Sequence, residues 1–241
     1  MNFSIILNSR GRISLLFNLL ESIYSTASRP EAVEVFLNID LDDTASVQAG
    51  ALLEFNFKNV KVQTGERPTN LHKPINEMAK KSKGDYLFAL NDDVTFLTQG
   101  WDKIILEKSE EFLNRHSDDI MYAGVSDNSF DKANHQRYAS FPIISRPSYE
   151  ALGYFMPEKF VALGADVFLY RIFESVDRIL LIDNVRLDHF YHSTLDAVNS
   201  PDETATHMRN ITYENLPAGN PWEIDISKES ELLNEKIASS L

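Results

Sequence analysis

Residues Tyr86 to Val94 read YLFALNDDV, an apolar run that ends abruptly in Asn91-Asp92-Asp93. Hard oxygen ligands at the mouth of a rigid strand suit Mg²⁺ or Mn²⁺, and such an ion bridges substrate phosphates. The competing reading is a solvated turn, which Asn and Asp also favour. Two other polar clusters, Asn8-Ser9-Arg10-Gly11-Arg12 and Asp40-Leu41-Asp42-Asp43, follow apolar runs in the same way. Arg10, Arg12 and Lys73 are the cationic candidates for a diphosphate, arginine through its fork of donors; a surface charge is the alternative for each. Downstream, Leu187-Asp188-His189-Phe190-Tyr191-His192 holds two of the chain's 6 histidines, and an imidazole can complete a site built from carboxylates. Gly164-Ala165-Asp166 offers a carboxylate at a helix start, either an N-cap or a general base.

The elements that must carry these groups alternate along the first half. Phe3 to Leu7 reads as a strand, Ile13 to Ala27 as a helix with Leu15, Leu16, Leu19, Leu20 and Ile23 on one stripe, and Val33 to Ile39 as a second strand. Ser46 to Phe55 reads as a helix, Val60 to Val62 as a strand, Leu71 to Lys83 as a helix capped by Gly84, and Tyr86 to Leu90 as a buried strand. Strands separated by helices of this size form a mostly parallel sheet covered on both faces. Ligands in such sheets bind beyond the carboxyl ends of the strands, so the three polar clusters are expected to line one crevice.

The second half is less regular. Trp101 to Arg115 reads as a helix, Met121 to Val125 as a strand, and Ser126 to Tyr149 as a polar surface segment. Asp166 to Glu174 reads as a helix, Ile179 to Ile182 and Val185 to Tyr191 as strands, Ser200 onward as a helix opened by Pro201, and Ser227 to Ile237 as a last amphipathic stretch. Without repeats or a linker, one domain spanning 1–241 is expected: a nucleotide-binding half (1–95), an acceptor and metal half (96–200) and a C-terminal helical tail (201–241).

Composition sets outer limits. The chain has 241 residues and no cysteine, which excludes disulfides, thiolate metal sites and cysteine nucleophiles. A formal net charge of -13 argues against nucleic acid as a partner, because that needs a cationic surface. No window approaches a membrane span, and the N-terminus lacks the pattern of a signal peptide; a cytoplasmic location is the expectation, with peripheral membrane contact compatible. The sequence contains no GxGxxG, GxxxxGK[ST] or GxSxG fingerprint.

The order of the clusters resembles family 2 inverting glycosyltransferases of the GT-A fold. Asn8 to Arg12 loosely match the segment after their first strand, and Asp40 to Asp43 match their acidic turn. Asn70 to Asn76 match a helix with an asparagine near its middle, and Gly84-Asp85-Tyr86-Leu87-Phe88-Ala89-Leu90-Asn91-Asp92-Asp93 match the "G-D-Y-(apolar)-L-D-x-D" element. Gly164-Ala165-Asp166 and a downstream histidine complete the likeness, which covers roughly residues 3 to 192.

The resemblance implies an α/β nucleotide-diphospho-sugar transferase fold and a metal-dependent hexosyltransferase-like enzyme. A UDP-, dTDP- or GDP-sugar would be the donor, and a hydroxyl of a glycan, lipid or protein the acceptor. Asn8, Ser9, Arg10, Arg12, Asp40, Asp42, Lys73, Asn76, Asn91 and Asp92 are then expected around the donor. Asp93 with His189 or His192 is expected on Mn²⁺ or Mg²⁺, Asp166 as the base, and Tyr154, Phe155 and Met156 as an acceptor platform or as core. A non-catalytic nucleotide-sugar-binding or scaffolding protein is the second reading. A nucleotidyltransferase is the third, a class that carries a glycine-rich basic loop where only Gly11 stands here.

Overall fold

The computed structural model describes residues 2–127, 139–189 and 218–240. Strict alternation on the first strand explains why the sheet is covered on both faces. In β1 (Phe3–Ser9), Phe3, Ile5 and Leu7 pack into one apolar cluster while Ile6 packs into another on the opposite face. In β2 (Val33–Asp40), Val33, Val35, Leu37 and Ile39 repeat the first pattern and Phe36 the second.

The first cluster is closed by α1 (Ile13–Thr26), α2 (Thr44–Asn56) and α4 (Trp101–His116), through Leu16, Leu19, Leu20, Ile23, Leu53, Trp101, Ile105 and Phe112. The second is closed by α3 (His72–Lys81), α5 (Arg146–Leu152), α6 (Ala165–Ser175) and α7 (Ser227–Ala238), through Ile75, Met78, Leu152, Phe168, Ile172 and Leu233. Between the two layers run β3 (Val60–Gly65), β4 (Tyr86–Ala89), β5 (Val94–Phe96), β6 (Tyr122–Ser126), β7 (Ile143–Ser145) and β8 (Ile179–His189).

These eight strands lie in the order β3-β2-β1-β4-β7-β6-β8-β5. β3, β2, β1 and β4 are mutually parallel, β7 runs against both β4 and β6, β8 is parallel to β6, and β5 runs against β8. The carboxyl ends of β1, β2, β3, β4, β6 and β8 therefore share one edge of the sheet, where Asn8, Asp40, Asn91 to Asp93, Asp127 and His189 are placed.

Several elements differ from the expectation. The strand Ile179 to Ile182 and the one expected from Val185 are joined in β8, which continues through Asp183 and Asn184 to His189 with a register shift opposite Val125 and Ser126; Phe190 and Tyr191 lie outside the described residues. Within Ser126 to Tyr149, residues 128–138 are outside the described residues, but β7 and the start of α5 are ordered elements with buried strand residues rather than a surface run. Helix α3 ends at Lys81 with Ser82 as its cap, so Gly84 does not cap it. Gly84 lies against β1, where an added Cβ would come within 2.5 Å of the Ser4 amide nitrogen and hydroxyl. The helix expected from Ser200 lies outside the described residues. No described helix is long and apolar enough to cross a membrane.

Candidate functional site

The loop after β1 lies between the loops after β2 and β4 and is bonded to both. On one side, Arg10 Nη1 donates to Asp40 Oδ2 at 3.1 Å, and the same guanidinium grips both oxygens of Asp42, Nη2 donating to Oδ2 at 2.9 Å. The Gly11 amide donates to Asp43 Oδ2 at 2.7 Å, while Asp43 Oδ1 caps α2 by accepting from the Ser46 amide. Gly11 has φ of +67°, a left-handed turn that a side chain would strain.

On the other side, Ser9 Oγ donates to Asp92 Oδ2 at 2.7 Å. The Arg12 guanidinium reaches past it, with Nη2 2.6 Å from Asp92 Oδ1 and Nη1 3.2 Å from Asp93 Oδ2. The Asp92 side chain is 0% exposed and that of Asp93 7%, against 35% for Arg12. The cation thus covers the pair from the solvent side. Of the NDD triplet, Asn91 alone is exposed.

Register brings in the histidine. Antiparallel pairing of β5 with β8 sets Val94 opposite His189, so the residue before Val94 meets the imidazole. Asp93 Oδ1 lies 3.5 Å from His189 Nε2, and the ring packs edge-on against Phe141 at 4.9 Å between centroids. His192 lies outside the described residues.

The electrostatics follow from burial and pairing. Burial lifts Asp92 to about 6 against the opposing charge of Arg12. Burial also pushes Asp93 upward, but the contacts with His189 and Arg12 outweigh it and hold the carboxyl below its usual range. Asp40 is raised by burial despite Arg10 and, more weakly, Arg67. Exposed Asp42 is lowered by its hydrogen bond from Arg10. Arg10 itself is held well above its ordinary value, chiefly by Asp42.

Asp166 is in the first turn of α6, whose N-cap is Gly164 rather than the aspartate. The residue is partly buried. Desolvation lifts its carboxyl to about 6; the amides of Val167 and Asp166 oppose the rise, and the charge of Asp127 adds to it.

One expected donor contact is engaged elsewhere. Asn76 is buried in α3 with its amide engaged by the segment before Asp166: Nδ2 donates to the Met156 carbonyl at 2.8 Å and to Glu158 Oε1 at 2.9 Å, and Oδ1 accepts from the Phe155 and Met156 amides, each at 2.9 Å. Asn70 and His72 hold the same segment, Asn70 Nδ2 donating to the Glu158 and Phe160 carbonyls and His72 Nε2 lying 2.8 Å from the Ala162 carbonyl. Burial lowers His72 to about 4, so the imidazole is neutral at physiological pH. Lys73 is exposed on the same helix. Asn8 Nδ2 donates to the Leu71 carbonyl at 2.8 Å, while its buried Oδ1 has no hydrogen-bond partner among the described residues. Phe155 is 0% exposed and Met156 7%, both in the second cluster with Tyr154 packed against it, so this trio is core and not a platform.

Sequence reasoning missed Asp127 and Arg67. Asp127 directly follows β6, and the rule that picked out the polar residues after β1, β2 and β4 also finds it. Arg67 stands two residues after the end of β3, and the same rule reaches it once that strand is extended from the expected Val62 to Gly65.

No protein-family model matches the sequence, and no curated protein matches it. Solved structures do match the fold. S. aureus TarS 1-349 superposes with a TM-score of 0.59 at 15% identity, over 98% of this chain and 71% of that one. A longer S. aureus TarS structure is covered to only 43% of its length. The mannosyltransferase PcManGT from Pyrobaculum calidifontis, in complex with GDP-Man and Mn²⁺, gives a TM-score of 0.61 at 13% identity, over 99% and 73%. GalNAc-T7 with UDP, GalNAc and Mn²⁺ gives 0.61 at 13%, over 98% and 54%. Identities this low establish architecture alone. The chain has the GT-A fold, a mostly parallel central sheet with helices on both faces.

Proposed function

We propose that the chain is a metal-dependent inverting glycosyltransferase that moves a sugar from a nucleotide-sugar to an acceptor hydroxyl. The observation that carries the reading is the cross-bonding of the loops after β1, β2 and β4 at the carboxyl edge of the sheet, through Ser9–Asp92, Arg10–Asp40/Asp42 and Arg12–Asp92/Asp93. In a parallel α/β sheet this edge is where ligands bind. Structures of the same fold hold UDP-GlcNAc, GDP-Man with Mn²⁺, or UDP and GalNAc with Mn²⁺, which supports a nucleotide-sugar donor.

In this reading residues 1–95 hold the nucleotide. Asp40 and Asp42, fixed by Arg10, meet the base or ribose; Asn8 Oδ1, which has no partner among the described residues, accepts from a donor hydroxyl, and exposed Asn91 faces the ribose and phosphates. Asp93 and His189 would hold the divalent ion, a carboxylate and an imidazole 3.5 Å apart being a fitting donor set for Mn²⁺. Among the described residues no group of three or more such side chains could hold a metal, so diphosphate and water oxygens would fill the other positions. When bound, the ion supplies charge neutralisation for the nucleoside diphosphate leaving group.

Asp166 is the base. The acceptor oxygen attacks the anomeric carbon from the face opposite the diphosphate, the bond from that carbon to the phosphate oxygen breaks with its electron pair leaving on the diphosphate, and the hydroxyl proton passes to Asp166. One displacement inverts the anomeric centre. A carboxyl lifted to about 6 is better matched to taking a proton near neutrality than an ordinary aspartate.

The test is thermal denaturation of the full chain with UDP-, dTDP-, GDP- and CMP-sugars, with and without Mn²⁺. A donor at about 100 times its Kd stabilises by about 2.7 kcal/mol, or roughly 5–11 °C for a chain of this size. A metal-dependent shift with one nucleotide class supports the reading and names the donor. A flat response across the panel overturns it.

A further inference from the structure

We propose that Arg12 is an exchangeable counter-ion: its guanidinium neutralises Asp92 and Asp93 in the donor-free protein, and a divalent cation must displace it to enter the site. The inference rests on the reading that Asp93 belongs to a cation site.

Three features lead to it. First, each carboxylate gives one oxygen to the guanidinium, at 2.6 and 3.2 Å, and turns the other inward, Asp92 to Ser9 Oγ at 2.7 Å and Asp93 toward His189 Nε2 at 3.5 Å. Two adjacent buried carboxylates need a compensating cation, and among the described residues Arg12 reaches both. Second, the arrangement is ordered by depth, with the carboxylates buried and the guanidinium about one-third exposed, so an ion arriving from solvent meets Arg12 first. A dication on Asp93 and a guanidinium on the same carboxylate pair repel each other in a partly desolvated site, which favours release of the guanidinium when the ion enters. Third, Arg12 is free to leave. It occupies the N-cap position of α1 without a side-chain capping bond, follows the left-handed Gly11, and carries a long flexible stem.

A released guanidinium has an obvious second partner. Its planar fork suits phosphate oxygens as well as carboxylates. Metal and diphosphate then bind cooperatively, since the anion stabilises the swung-out arginine whose departure the metal requires. The side chain that the sequence suggests for the diphosphate thus reaches that role only by first giving up Asp92 and Asp93.

The experiment titrates Mn²⁺ into the wild-type chain, Arg12→Gln and Arg12→Lys, reading free Mn²⁺ by EPR, with and without inorganic pyrophosphate. Circular dichroism and thermal melts run alongside as a check on folding. Without pyrophosphate, Arg12→Gln should bind Mn²⁺ about tenfold tighter than wild type, the size of a typical coupling between two competing occupants, and its metal-free melting temperature should fall because Asp92 loses its counter-ion. Pyrophosphate should tighten Mn²⁺ on wild type by about tenfold and leave Arg12→Gln nearly unchanged; Arg12→Lys should fall between. Equal or weaker Mn²⁺ binding by Arg12→Gln overturns the proposal while leaving a metal-dependent transferase intact. No Mn²⁺ uptake by any variant, with or without pyrophosphate, overturns both the exchange and the cation site. Tight uptake by Arg12→Gln alone supports the exchange even if no nucleotide-sugar stabilises the wild type. Should Arg12→Gln fail to fold, Arg12→Lys decides: Mn²⁺ binding no tighter than wild type rejects the exchange.

Discussion

Asn76 and Met156 lie 80 residues apart in the chain and share two hydrogen bonds, Asn76 Nδ2 to the Met156 carbonyl at 2.8 Å and the Met156 amide to Asn76 Oδ1 at 2.9 Å. The same amide also holds Phe155 and Glu158, so one side chain on α3 fixes the segment that leads into Asp166. Asn76→Ala leaves two buried peptide N–H groups without their acceptor. The expected cost is about 2–4 kcal/mol in chemical denaturation. Since Asp166 loses its support while the donor loops do not, kcat should fall more than the donor KM rises, and steady-state kinetics separate the two.

Asp166→Asn should uncouple stability from turnover. The folded-state carboxyl is lifted to about 6 from an ordinary 3.8. Between those values the folded state binds the proton more tightly than the unfolded chain, so ionisation costs stability above about pH 6 and the cost disappears as pH falls toward 3.8. The variant removes that cost: its melting temperature should rise at about pH 7.5, by the equivalent of up to about 2 kcal/mol for a partly exposed group, and match wild type near pH 4. Transfer should drop about 10²–10⁴-fold, and wild-type kcat should decline below about pH 6 as the base is protonated. A variant retaining full activity would remove Asp166 from the mechanism.

Ser9→Ala takes away the hydroxyl that donates to buried Asp92 Oδ2. Burial already lifts Asp92 to about 6, and without Ser9 the carboxyl rises further. The charged form is the one that suffers, so the loss, about 1–3 kcal/mol, should be largest near pH 8 and shrink as pH falls through the wild-type value. Urea titrations at both ends of that range measure the difference.

Gly84→Ala tests packing rather than charge. Its new methyl would sit 2.5 Å from the Ser4 amide and hydroxyl and 2.7 Å from the Phe3 carbonyl carbon, and much of that crowding is backbone that cannot rotate away. A loss of about 2–4 kcal/mol is expected, read as a lowered denaturation midpoint with an unchanged slope.

Those four residues also mark what was legible in the sequence. The alternation of apolar runs and helical stripes located β1, β2, β4, α1 and α3 closely, because strands buried on both faces leave a continuous apolar run, whereas half-exposed β3 was read only over its first three residues. Two three-residue strands, β5 and β7, left no period to read, and their existence depends on partners found only in the fold. The polar clusters were visible as residues after strands, yet their bonding was not. Arg12 is separated by 81 residues from Asp93, one of the two acids it touches, and His189 reaches Asp93 only through the β5–β8 register. Asn76 looked like a donor contact because an amide in a helix carries no mark of whether it faces a ligand or a neighbouring loop.

The pairing of β5 with β8 has a consequence for how the protein comes into being. Asp93 and His189 meet through a hairpin-like contact whose two strands are separated by α4, β6, β7, α5 and α6, so the imidazole arrives only after most of the chain has been synthesised and packed. Closing such a long loop is slow compared with the local strand–helix pairing of the first ninety residues. A refolding time course followed by Mn²⁺ capture should therefore lag behind the recovery of helical signal. Metal uptake would then time the arrival of native topology rather than of secondary structure.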